Sequence, residues 1–317
     1  MEIGGYIELE KSNKKMLYAD KILLNAGRNC LKYIIKAKNI QKIYLPYFLC
    51  DSVRDACKDE YINIAYYHIS DNFLPKSIEL QHDEWIYVVN YYGQLSNQKL
   101  EELHNEFSGR MIVDNAQAYF QEPVIGIDTL YTCRKFFGVA DGAILSTSQL
   151  MTSELSKDES FQHMNFLLGR FERSASEFYG EYAENNKRFK NEPIKKMSEL
   201  TKNLLNGIDY EFVKEARTTN FNYLHQQLKD INLLTVTKVE GAFAYPLMIE
   251  NAAEIRKQLI AKKIYIPLLW PNVLDDVEED SLEYQLALNI LPLPCDQRYG
   301  VKEMDIIVSE IMNQLRL

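Results

Sequence analysis

Between residues 25 and 147 the chain alternates short apolar and aromatic runs with segments of helical periodicity. Leu31, Ile34 and Ile35 give one apolar helical face in 25–37, just after Gly27. The runs 43–48 and 62–69 read as strands, with a helix over 52–58 between them. Residues 85–92 are rich in β-branched and aromatic side chains and stop at Gly93, and 100–107 reads as helix. The runs 111–113, 128–133 and 143–147 complete the set. Strands separated by helices need crossover connections, so the sheet is expected to be largely parallel and covered by helices on both faces. Ligands on such sheets bind beyond the carboxyl ends of the strands.

A chain of 317 residues exceeds one ordinary core. The alternation predicts a large α/β domain over 1–215, whose 150–215 part is a helical extension and interface segment, and a small α+β domain over 216–317. Phe166, Leu167, Leu168 and Phe171 form an apolar stripe in the polar, mostly helical stretch 150–190. A basic loop covers 185–196, and a second helical stretch runs from 197 to about 214. Beyond it the pattern predicts helix 220–228, strands 234–239 and 243–249, helix 252–262, strand 265–269, helix 282–289, strand 291–294 and a closing helix, 302–314.

The net charge of −9 argues against a general nucleic-acid binder, and no apolar run reaches membrane-spanning length. Residues 1–5 lack the basic and apolar regions of a signal peptide. Five scattered cysteines form no Cys-x-x-Cys pair, and the histidines show no ligand spacing. The expectation is a reduced, cytoplasmic protein without a structural metal.

Two strand ends carry the chemistry. Asp114 closes the run 111–113 and opens Asp114-Asn115-Ala116-Gln117. Lys135 lies 21 positions later, in the loop Arg134-Lys135-Phe136-Phe137-Gly138. Alone, each has an ordinary reading, a turn-capping Asp and a surface Lys. Together they are what pyridoxal phosphate chemistry needs: an amine that condenses with the cofactor aldehyde and a carboxylate that keeps the pyridine nitrogen protonated. Condensation requires a neutral amine, which Arg134 and the apolar flanks Tyr131, Cys133, Phe136 and Phe137 are expected to favour. Gln117 is placed to touch the ring hydroxyl or the substrate. Gly27-Arg28-Asn29, at a helix start, offers backbone amides to a phosphate. No GxGxxG or GxxxxGK[ST] run supports a dinucleotide or P-loop site. Residues 90–94 are candidates for the site mouth. Cys133 reads as a buried space-filling thiol.

These segments resemble the DegT/DnrJ/StrS family of sugar aminotransferases, in order along most of the chain. Asn25-Ala26-Gly27-Arg28-Asn29-Cys30-Leu31 is similar to that family's helix start, and 43–48 to its following strand with proline. Val89-Asn90-Tyr91-Tyr92-Gly93-Gln94 is similar to its Val-His-x-Tyr-Gly-Gln strand end. Asp114-Asn115-Ala116-Gln117-Ala118 resembles its Asp-x-Ala-Gln/His block. Lys135 falls at its cofactor lysine, Gly142-Ala143-Ile144-Leu145 at its Gly-Gly-Ala strand, and Leu291-Pro292-Leu293-Pro294 at its C-terminal strand.

The resemblance implies a fold-type-I pyridoxal phosphate transferase: a homodimer with shared active sites that moves an amino group from an amino acid, glutamate in the usual member, to a nucleotide-linked keto sugar. Cell-surface or secondary-metabolite sugars are the implied products. Carried over by position, Lys135 and Asp114 are catalytic and cofactor-binding, Gln117 sits by the ring, and Gly27, Arg28 and Asn29 hold the phosphate. Thr132 stands in for the family's phosphate-binding serine, which is absent. Phe48 is the nearest ring-stacking residue, with Cys50 the other alignment. Asn90, Tyr92 and Arg134 face the substrate, and 185–196 is a diverged form of the loop that the neighbouring subunit supplies. Lys135 argues against the dehydratases of the family, which carry His there. The other reading is a homodimer that binds the cofactor in a regulatory or structural role without catalysis.

Overall fold

The computed structural model of the protein describes residues 3–315. Its centre is a seven-stranded sheet. In chain order the first half comprises β1 (Ile22–Leu24), α1 (Gly27–Lys38), β2 (Lys42–Pro46), α2 (Asp51–Asp59), β3 (Asn63–Tyr67), β4 (Glu84–Val89), α3 (Asn97–Glu106), β5 (Met111–Asp114), β6 (Asp128–Thr132) and β7 (Ala143–Ser146). The spatial order is β1-β7-β6-β5-β4-β2-β3. Strands β2 to β6 pair in parallel, with helices α2 and α3 crossing over between β2 and β3 and between β4 and β5. Strands β7 and β1 close one edge antiparallel. The three-residue β1 is too short to register as a sequence run. Ile86, Val88, Ile112 and Val113 are buried at the sheet centre, where strands covered on both faces lose the polar alternation of a half-exposed sheet.

The helices follow in the order α4 (Asn165–Glu172), α5 (Tyr179–Arg188), α6 (Glu199–Asn206) and α7 (Tyr210–Leu228). Asp209 caps α7, its carboxylate accepting from the Phe212 amide, and the helix runs unbroken for 19 residues. It crosses the expected boundary at 215/216, so the break read between the helical stretches 197–214 and 220–228 falls instead at 207–209, between α6 and α7. The remaining elements are β8 (Ala244–Met248), α8 (Ala252–Ala261), α9 (Val273–Asp276), α10 (Leu282–Asn289), β9 (Ile290–Pro294) and α11 (Val301–Leu315). A second apolar cluster, including Phe221, Leu224, Tyr245, Leu291, Met304 and Ile311, packs helices on the antiparallel β8–β9 pair.

Two expected strands do not form. Residues 234–239 give their polar groups to side chains: Asn232 Oδ1 accepts from the Leu234 amide (3.1 Å), and Gln94 Oε1 from the Thr237 amide (2.7 Å). Residues 265–269 lead into Trp270, which has a left-handed backbone and stacks edge-on to Phe48 at 4.6 Å. The apolar stripe read in 150–190 is only partly buried, because Phe166 turns inward while Leu168 (64%) and Phe171 (93%) stay exposed.

Candidate active site

Strand β5 delivers Asp114 to the carboxyl edge of the sheet, between Val89 of β4 and Leu130 of β6. Both carboxylate oxygens are fixed. Oδ1 accepts from the Ala116 amide (2.8 Å) and Oδ2 from the Tyr87 hydroxyl (2.7 Å). Burial, then the Asp114 charge, raise the Tyr87 phenol well above its ordinary value, so Tyr87 stays a donor. Three residues on, Gln117 Oε1 accepts from the Tyr92 amide (2.8 Å). That bond sets the amide orientation and leaves Gln117 Nε2 buried without a partner. Tyr92 reaches Gln117 from a left-handed backbone (φ 54°), a conformation that side chains adopt only where surroundings hold them.

The start of α1 lies against β6. A Cβ placed on Gly27 would sit 3.9 Å from Thr132 Cβ. The N-cap, Ala26, has no side chain that could bond the first amides, and the first turn carries no acidic residue. Among the described residues the Thr132 hydroxyl makes no hydrogen bond within the chain, and neither Arg28 nor Arg134 makes an ion pair. Burial lowers the Arg28 guanidinium. Burial, together with the neighbouring Arg188 and Arg28 cations, pushes Arg134 down to about 10.

The loop after β6 is pinned from two sides. The Asp141 carboxylate accepts from the Ser198 amide and hydroxyl (2.8 Å each) and from the Thr201 hydroxyl. The Phe136 carbonyl accepts from Arg217 Nη2 (3.2 Å) and Gln297 Nε2 (2.9 Å). Phe136 and Phe137 turn into a buried aromatic cluster with Tyr119 and Tyr131. Lys135 does the opposite: it is exposed, with Nζ 5.4 Å from the centre of the Phe243 ring. The apolar flanks bury themselves and leave the lysine outside. Residues 237–243 run past the same edge, with Thr237 bonded to Gln94 and Val239 against Gly93. Gly93, at φ +73°, has no room there for a side chain, since a Cβ would lie 3.0 Å from Val239 Cγ1.

Several expected contacts are placed elsewhere. Asn29 Nδ2 donates to the Pro193 carbonyl (2.9 Å) and Asn25 Oδ1 (2.8 Å). Phe48 is buried between Tyr91 and Trp270. Asn90 is spent on the turn around it: Nδ2 donates to Gln121 Oε1 (2.7 Å) and Asn115 Oδ1 (3.1 Å), and Oδ1 accepts from the Leu95 amide (2.9 Å). Tyr92 is buried beside Phe73. These polar and aromatic side chains at a strand end organise the edge rather than line its mouth. Within the chain, the 185–196 segment pairs Arg188 with Asp158 (3.1 Å) and Lys195 with Glu192 (2.5 Å). Burial raises the Cys133 thiol, which suits a space-filling role. Among the described residues no group of three or more His, Cys, Asp or Glu is arranged to hold a metal. Tyr87, Asp141, Arg217 and Gln297 act on this edge without a sequence signal; Arg217 and Gln297 are brought there by elements distant in the chain.

This fold is that of the pyridoxal phosphate-dependent sugar aminotransferases. A DegT DnrJ EryC1 StrS aminotransferase from Brucella abortus superposes with a TM-score of 0.61 over 92% of this chain and 85% of its own, at 13% identity. NtdA from Bacillus subtilis, with bound cofactor PMP, gives 0.66 over 93% and 73%, also at 13%. The Escherichia coli GDP-4-keto-6-deoxy-D-mannose-3-dehydratase, with bound hydrated PLP, gives 0.61 over 91% and 86%, at 14%. No family model matches the sequence, and no curated protein matches it.

Proposed function

We propose that the protein is a pyridoxal phosphate-dependent aminotransferase that takes an amino group from an amino acid, glutamate first among candidates, and gives it to a keto sugar, in nucleotide-linked form. The observation that carries this reading is the unspent bonding capacity along one sheet edge. Asp114 is a fixed carboxylate, Gln117 Nε2 is a buried donor without a partner, and Gly27 and Thr132 form an uncapped cradle at the start of α1. These features fit the pyridine nitrogen, the ring oxygen and the phosphate of that cofactor. When bound, the cofactor supplies an aldehyde for amines to condense with and a ring that accepts the electron pair left when a C–H bond breaks.

The chain's own residues divide the remaining work. Asp114 holds the proton on the ring nitrogen, and Tyr87 and the Ala116 amide hold Asp114. Gln117 orients the ring plane, and Gly27 and Thr132 take the phosphate. Lys135 Nζ removes a proton from the donor's α-carbon and returns one nearby, as base and then acid. The exposure of Lys135 supports a homodimer, in which a second copy closes the site against water. Five free thiols support a reducing, cytoplasmic location.

A second reading is a dimer that holds the cofactor without catalysis. The solvent-facing amine of Lys135 and the closure of Asn90 and Tyr92 favour it. Absorption spectroscopy separates the two. Transamination predicts a yellow protein whose visible band bleaches on adding glutamate and returns with a keto-sugar nucleotide. A yellow protein inert to every amino donor selects the second reading, and a colourless one that takes up no cofactor contradicts both.

A further inference from the structure

Two guanidinium groups, Arg28 in the first turn of α1 and Arg134 in the loop after β6, feel carboxylates of the chain only from beyond ion-pair distance. Arg134 makes one side-chain hydrogen bond, to Asn186 Oδ1, and its guanidinium stacks on Phe189 with the centre 4.7 Å away. Arg188 stacks on the same ring at 4.2 Å, but Asp158 neutralises it. Among the described residues Arg134 and Arg28 have no carboxylate partner, although acidic residues outnumber basic ones by 45 to 36 in this chain. Both guanidinium groups are half-buried, and the Arg28 and Arg188 cations each make the charge on Arg134 less favourable. Alongside them are the uncapped amides of α1 and the free hydroxyl of Thr132. Gln117 Nε2, unpartnered and buried, shows that the same sheet edge carries further bonding capacity that the chain does not use itself.

We propose that Arg134 is the counter-charge for the cofactor phosphate, so that each chain completes its own phosphate site. The proposal rests on the reading of this edge as a pyridoxal phosphate site. A phosphate dianion is the ligand class that two guanidinium groups, helix-start amides and one hydroxyl select together. The 185–196 segment then has a role at home: Asn186, at the end of α5, and Phe189, just past it, hold the Arg134 guanidinium in place. Arg134 thereby acts on the phosphate rather than on the substrate.

The test is equilibrium titration of the purified full-length protein with pyridoxal 5'-phosphate and with pyridoxal, which lacks the phosphate. Quenching of Trp fluorescence and visible absorption report binding. Wild type is expected to prefer the phosphorylated ligand by roughly 100-fold or more. Arg134→Gln is expected to lose on the order of 30-fold for pyridoxal 5'-phosphate and almost nothing for pyridoxal, with Arg134→Lys recovering part of the loss. An equal loss for both ligands, or no loss, overturns the proposal. Should Arg134→Gln fail to fold, Arg134→Lys carries the test alone. A loss of about 5-fold for the phosphorylated ligand only supports the proposal, and no selective loss overturns it. If wild type binds both ligands equally, the phosphate role falls while the cofactor reading stands. If wild type binds neither, the cofactor reading itself falls.

Discussion

Asp114 accepts two hydrogen bonds, one from a phenol and one from a backbone amide, and these fix both carboxylate oxygens in place. A carboxylate fixed in this way is suited to holding a cationic ring nitrogen rather than to shuttling protons. Asp114→Asn keeps the shape and removes the charge. Its kcat is expected to fall by about 100-fold or more, with a much smaller change in cofactor affinity, read from turnover and binding titrations on the same preparation. An unchanged kcat would remove the ring-nitrogen role. At this scale the sequence was informative about backbone position and uninformative about side-chain direction. Asp114, Gln117, Gly27 and Thr132 fall on one edge because strand ends and a helix start place them there. Asn29, Asn90, Tyr92 and Phe48 fall on the same edge but turn into it, since each finds a partner or an apolar neighbour contributed from a distant part of the chain. Lys135 turns outward for the complementary reason, that Phe136 and Phe137 take the interior positions of its loop.

The loop carrying Lys135 owes its position to α6 and α7. Asp141 is fully buried and accepts three hydrogen bonds from Ser198, the N-cap of α6, and Thr201, so it ties the loop to the start of that helix. Asp141→Ala leaves the Ser198 and Thr201 hydroxyls and the Ser198 amide without their acceptor. The expected loss is about 3 kcal/mol of stability, measured by denaturant unfolding. Arg217 and Gln297 fix the other side by sharing the Phe136 carbonyl. Strands β2 to β7 were legible to within a residue or two at most ends, because buried parallel strands are continuous apolar runs. The segments 234–239 and 265–269 have the composition of strands without a strand to pair with. In the first of them, Asn232 and Gln94 accept from the Leu234 and Thr237 amides instead. The break between α6 and α7 was misplaced in the sequence because helical periodicity continues through residue 215.

Across the whole molecule, the excursion 160–188 presents Phe161, Leu168, Phe171 and Tyr179 to solvent on one chain. A second copy that closes the Lys135 edge is expected to cover part of this face. Sedimentation should give a dimer for wild type and a shift toward monomer for Phe171→Lys with Leu168→Glu, and an unshifted dimer would place the contact elsewhere. Protonation acts at the same scale. Burial is the first cause lowering His104, His163 and His225 from 6.5. The folded state therefore binds fewer protons than the unfolded one below that value, and stability falls as pH drops from about 6.5 through the lowered folded values. The melting temperature is expected to decline between pH 7 and 5, and His104→Gln should flatten part of the slope. A melting temperature that rises on acidification would reverse the assignment.

The central claim is a chemical bond between one amine and one cofactor, and reduction can make that bond permanent. Borohydride added to the protein loaded with pyridoxal 5'-phosphate, followed by proteolysis and mass mapping, should place the cofactor on the peptide containing Lys135 and abolish labelling in Lys135→Ala. A label carried by any other lysine, with residue 135 unmodified, would contradict the account.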